Sequence, residues 1–220
     1  MKTKKETVQI FIDGGNFYHL ALKKIGAKDI DFSFDKFAKF LANGREVTEF
    51  GKRCYVGTVR EQIDDPASKK AMSRQTKFFS VLKKGNWEIK TSKLRNRLER
   101  IIIDKRVFNY KNLHKKGVKF IEYKTTREKG IDVKLATDLI VGAIDGKYDT
   151  AIIVSSDSDL VPAIDWVRMR KHKKIEYIGF SIVDKNNEKN STRPLQTMIT
   201  HTDIQRILVE SDLKKFILNR

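Results

Sequence analysis

The chain has 220 residues, enough for one α/β domain with extensions or two small domains, and enough to bury a core without covalent staples. Its 46 Lys and Arg outweigh 28 Asp and Glu, and the formal net charge of +18 favours a polyanionic partner, most often nucleic acid. One cysteine, Cys54, excludes an intrachain disulfide, and no apolar run approaches membrane-spanning length.

The first six residues are basic, but a strand and a polar helix follow rather than a signal peptide, so a reducing, cytoplasmic setting is expected. No basic amphipathic anchor points to a membrane surface. Thr7 to Ile12 is β-branched and aromatic and predicts a strand. It ends at Asp13-Gly14-Gly15-Asn16, where Asn16 or Asp13 could cap a helix over Phe17 to Ile25. Neither Gly-x-Gly-x-x-Gly nor Gly-Lys-Ser/Thr is present, which removes dinucleotide and P-loop readings.

Phe34, Phe37, Phe40 and Leu41 fall at helical spacing, predicting a helix over Ser33 to Leu41 with Ser33 as cap and the aromatic stripe in the core. A strand is expected over Phe50 to Val59, with Cys54 as a small core residue. A long helix over Ala67 to Lys83 and a strand over Trp87 to Leu94 come next. Lys69, Lys70, Arg74 and Lys77 give that helix a basic side, either plain solvated charge or part of a phosphate track. Arg95 to Lys116 reads two ways: a hairpin turning at Asp104-Lys105, or a broken helix, in either case a basic flap for a nucleic-acid groove. Val118 to Tyr123 predicts a strand, and Ile131 to Ile144 a helix with Asp132 in its first turn and Asp138 further along.

Asp149 to Asp159 carries the strongest signal. Ala151 to Val154 suits a strand buried on both faces, two serines follow, and then Asp157 and Asp159 precede a helix over Ser158 to Met169. In an open α/β sheet this turn lies at the carboxyl edge, where ligands bind, although either acid could simply cap the helix. A strand over Lys174 to Phe180, a polar loop over Asp184 to Arg193, a helix over Leu195 to His201, a strand or amphipathic piece over Ile204 to Val209 and a last helix over Asp212 to Leu218 complete the chain.

The alternation of strands and helices implies a mostly parallel sheet covered on both faces. Asp13, Asp157 and Asp159 then share one edge if their strands are neighbours, with Asp132 reachable from the loop before its helix. Crowded carboxylates on a basic protein suit a hard divalent cation, whereas the scattered His19, His114, His172 and His201 give no zinc set. A cation on an acidic edge in a basic surround suggests phosphodiester hydrolysis.

Phe11-Ile12-Asp13-Gly14-Gly15-Asn16, Lys129-Gly130-Ile131-Asp132-Val133, and Tyr148-Asp149 through Ser155-Ser156-Asp157-Ser158-Asp159 together resemble the NYN domain of the PIN-like nuclease superfamily, in its LabA-like group. The resemblance covers roughly 7 to 180. It implies a PIN-like three-layer α/β/α sandwich and a Mg²⁺- or Mn²⁺-dependent ribonuclease. By that resemblance Asp13, Asp132, Asp157 and Asp159 are the catalytic metal ligands, with Asp138 as an additional acid. Asn16, Arg127, Lys129, Ser155 and Ser158 are expected to bind substrate.

The family usually has Gly where Ser156 stands and Phe where Leu160 stands. Residues 1–180 are expected to form the nuclease domain, with a basic insertion near 95–116, and 181–220 an extension packed on it. The expected partner is RNA, single-stranded before duplex, and a homodimer is left open. Two alternatives remain: a nucleic-acid-binding module with an idle site, and a phosphatase-like phosphotransferase using Asp157-Ser-Asp159. The second lacks a downstream Asp-Asp pair.

Overall fold

The computed structural model describes residues 5–59, 66–93, 95–127, 130–184 and 187–218. Strand β1 (Thr7–Asp13) leads into α1 (Gly14–Phe17), which continues as a π turn over Tyr18–Leu22. Asp13 is the cap, so this helix starts three residues before the expected Phe17. Helix α2 (Phe34–Ala42) is capped by Ser33, whose hydroxyl accepts from the Lys36 N–H at 3.4 Å. Phe34, Phe37 and Leu41 are buried as expected, but Phe40 is 38% exposed at the edge of the stripe.

Strand β2 (Glu46–Thr58) begins four residues before the expected Phe50. Its first residues pair with Thr7 and Val8, and a register break between Val8 and Ile10 separates that pairing from the rest. Phe50 has φ 53°, an irregularity that interrupts the alternation by which a strand is read. Helix α3 (Pro66–Lys84) and β3 (Glu88–Lys93) follow.

The segment after β3 differs from both readings offered for it. Strand β4 (Arg95–Ile102), α4 (Tyr110–Lys115) and β5 (Phe120–Arg127) form an antiparallel arm, with Ile101 opposite Ile121 and Ile102 opposite Phe120. Ile101 and Ile102 therefore pair with the strand expected from Val118, not with Val107-Phe108. At the expected turn, Asp104 instead accepts from the Arg106 N–H and side chain. The pairing spans a helix in sequence, so local pattern cannot reveal it.

Helix α5 (Ile131–Ile144) starts after Gly130, whose φ of 77° is a left-handed conformation open to glycine. Strand β6 (Thr150–Val154) is buried throughout. A 3₁₀ turn over Ser158–Leu160 then enters α6 (Val161–Lys171). Strand β7 (Lys174–Ser181), α7 (Gln196–His201), β8 (Ile204–Val209) and α8 (Glu210–Lys214) complete the described chain.

Six strands make one sheet in the order β3-β2-β1-β6-β7-β8, every neighbouring pair parallel. Alternate side chains feed two cores. On one face Ile10, Ile12, Ile152 and Val154 meet Phe17, Phe37, Phe78 and Phe216. On the other, Phe11, Ala151 and Ile153 meet Ile131, Leu135, Leu139, Ile164 and Val167. The result is a three-layer α/β/α sandwich of the PIN-like kind. Within β7, Glu176 is 1% exposed and is held by Arg45 at 2.7 Å and by Arg206, so its buried charge is paired.

Candidate active site

Parallel strands end on one edge, and the sheet changes direction between β1 and β6: β2 and β3 extend to one side of β1, β6 to β8 to the other. The crevice at such a switch point lies outside the strand carboxyl ends, because the connecting helices diverge to opposite faces there. Ile12 stands opposite Val154, so Asp13 and the Ser155 to Asp159 turn leave the sheet side by side.

Hydrogen bonds hold these two loops together. The Asn16 side-chain oxygen accepts from the Ser156 N–H at 2.9 Å, and the Ser155 hydroxyl donates to Asp13 Oδ2 at 3.5 Å. The same hydroxyl accepts from the Asp157 N–H at 3.2 Å. Asp13 is 8% exposed, and its Oδ1 accepts from the Asn16 N–H at 2.9 Å. Asp157 is half-buried, and its Oδ1 accepts from the Asp159 N–H at 2.9 Å. Both acids therefore cap the helical turn that follows them, and Asp13 is also tied to the second loop through Ser155.

Asp132, half-buried in the first turn of α5, joins this edge electrostatically. Burial, then the charges of Asp157 and Asp159, raise its carboxyl above the ordinary carboxylate range. Cys54 is fully buried, and burial followed by the Asp13 charge drives its thiol far above the ordinary range, which excludes it as a nucleophile at neutral pH.

The remaining candidates scatter. Asp138 lies about 9 Å beyond Asp132 along the helix axis. It accepts from the Tyr55 hydroxyl at 2.9 Å and stands 3.7 Å from Lys90, so it ties α5 to β2 and β3. Ser155 is fully buried, its hydroxyl engaged in bracing rather than turned to solvent, whereas Ser158 is exposed at the start of the 3₁₀ turn. Arg127 ends β5 opposite Arg95. Its side chain, and Lys129 altogether, lie outside the described residues. Ser156, where the family has glycine, shares a 2.7 Å hydrogen bond with the Tyr177 hydroxyl. This brace carries no local signal, since Tyr177 reads as one more core residue of β7.

Among the described residues, no three His, Cys, Asp or Glu side chains stand close enough to hold a metal ion between them. The donor set is nonetheless all carboxylate oxygen, the type that hard cations take, and Mg²⁺ in particular binds through one or two carboxylates and keeps its waters. A cleft of about 520 Å³ opens next to the edge, between the π turn and α3. Gly14, Gly15, Phe17, Phe78, Lys70 and Arg74 line it, but none of the four acids does.

The fold and edge define an α/β protein that gathers carboxylates at the switch point of a parallel sheet. The NYN domain family model matches residues 7–202, and the chain belongs to that family of PIN-like nucleases. Among solved structures, the chain is similar to a protein of unknown function from Vibrio parahaemolyticus. The two are 19% identical with a TM-score of 0.53, the match covering 94% of this chain and 96% of that one. At such identity the likeness bears on the fold alone. No curated protein matches the chain. Among the described residues, no helix is long and apolar enough to cross a membrane.

Proposed function

We propose that the protein is a metal-dependent endoribonuclease of the LabA-like branch, acting on single-stranded RNA. The observation that supports this best is the pairing of β1 with β6, which sets Asp13 beside the Asp157 turn at the switch point. With Asp132 and Asp159 these residues would hold Mg²⁺ or Mn²⁺. Such a cation, when bound, lowers the pKa of a water and neutralises charge on the scissile phosphate. The chain's own residues supply position. Asn16 and Ser155 lock the two acidic loops against each other, and lysines and arginines elsewhere attract the flanking phosphates.

A binding module with an idle site is the second reading. It draws support from the absence, among the described residues, of a tight three-ligand cluster. One substitution separates the two. Asp157→Asn keeps an oxygen to accept from the Asp159 N–H and removes a charge. Incubated with labelled single-stranded RNA and Mn²⁺, the variant should cut on the order of 100-fold more slowly than the parent, or less, the scale of a positioned catalytic group. RNA binding should persist. Cleavage by the variant at the parent rate with Mn²⁺, or cleavage by the parent that persists in EDTA, would sink the metal-dependent nuclease reading.

A further inference from the structure

The β4–β5 arm is the part of the molecule that the nuclease reading leaves unused. Residues 95–127 hold eleven Lys and Arg against three Asp and Glu, a net +8 out of the +18 of the whole chain. Among the described residues, the two strands pair only with each other. A lone two-stranded ribbon is marginal in water unless something covers a face. Here both faces carry exposed apolar groups. Leu98 is 65% exposed and Ile102 62%, and they share a face with the half-exposed Phe120. Ile101, Ile121 and Tyr123 lie exposed on the other, and Phe108 near the tip is 90% exposed.

The first face already holds one flat cation against a ring. The Arg100 guanidinium lies 3.7 Å from the centre of the Phe120 ring. Lys105, Arg106, Lys111, Lys115, Lys116, Lys119 and Lys124 are exposed around it. Rings, a guanidinium plane and surrounding cations match unpaired nucleotides, which offer a flat face and a phosphate at every step. A duplex hides its base faces and would leave the rings uncovered. A second copy of the arm would set +8 against +8.

Connectivity ties the arm to the acidic edge. It leaves from the carboxyl end of β3 and returns just before Asp132. Its eight-residue strands reach about 25 Å. We propose that this arm binds single-stranded RNA, stacking bases on the face that holds Phe120 and Arg100 and holding phosphates with α4, along the strand that runs to the acids. The proposal rests on the ribonuclease reading only for the purpose of that strand, not for the binding.

The test uses the full chain in EDTA, so that nothing is cut, and the anisotropy of a short fluorescent oligouridylate. The variant Phe120→Ala should weaken binding roughly ten-fold while leaving the salt dependence nearly unchanged. The triple variant Lys111→Glu, Lys115→Glu, Lys116→Glu changes only exposed side chains. It should lower the slope of log K against log salt by about 0.7 per lost phosphate contact. With Mn²⁺, cleavage of a dinucleotide too short to reach the arm should match the parent in both variants.

Parent-like binding by both variants overturns the arm and leaves the nuclease reading standing. Arm-dependent binding without any cleavage by the parent does the reverse. The arm proposal also fails if the parent binds polyglutamate as tightly as the oligouridylate. It fails equally if sedimentation finds a dimer that the ring variant dissolves.

Discussion

Gly14 is the residue on which the site's geometry is least forgiving. A Cβ placed there would meet Val56 Cγ2 at 2.7 Å and the Tyr55 carbonyl oxygen at 3.1 Å. The chain can only leave β1 so close to β2 because that position is bare. Gly14→Ala should therefore cost about 1–3 kcal/mol, the range for overpacking, measured by denaturant unfolding. A cost indistinguishable from zero would mean that β2 yields easily and that the loop's position is not held by this contact. At the same scale, sequence reasoning treated serines and aspartates by type, but contact separates them. Ser155 is enclosed and braces, Ser158 is open, and Asp138 belongs to Tyr55 and Lys90.

The pairing of β1 with β6 is tied at both ends. At the carboxyl end Asn16 holds Ser156. At the amino end Asp149 Oδ2 accepts from the Thr7 N–H at 3.0 Å and from its hydroxyl at 2.7 Å. The Thr7 backbone N–H, then its hydroxyl, hold the Asp149 carboxyl below the ordinary carboxylate range, with Lys173 adding to this. A depressed carboxylate stabilises the fold above its unfolded pKa, and that contribution is lost as pH falls through the folded value. Asp149→Asn should accordingly cost roughly 1 kcal/mol at neutral pH. The difference in Tm between variant and parent should shrink as the solution is acidified through the carboxylate range. A difference independent of pH would remove the ionised carboxylate from the account.

The whole molecule concentrates negative charge at one crevice of a strongly basic chain. Asp132 records the cost, its carboxyl raised by burial and by Asp157 and Asp159. A cation bound only by the folded state relieves that crowding and raises stability, by about 2.7 kcal/mol at a hundred-fold excess over Kd. Mg²⁺ or Mn²⁺ should therefore raise the Tm of the parent, and Asp157→Asn should blunt the rise. No shift in the parent at millimolar cation would leave the acids without their proposed ion, whatever the RNA assay reads.

Periodicity and composition by themselves determined the core strands β1 and β6, the parallel sheet covered on both faces and the acids at the strand ends, but not the β4–β5 pairing. Burial leaves a period-two or helical imprint on the chain, and turns at strand ends accept few residue types. Only the tertiary structure decided which strands are neighbours, and hence that Asp13 meets the Asp157 turn while Asp138 does not join it. Tertiary structure likewise decided that Ile101 and Ile102 pair with Ile121 and Phe120 across an intervening helix. Contacts between distant segments are selected by the packing of the whole sheet, and no window of neighbouring residues contains that competition.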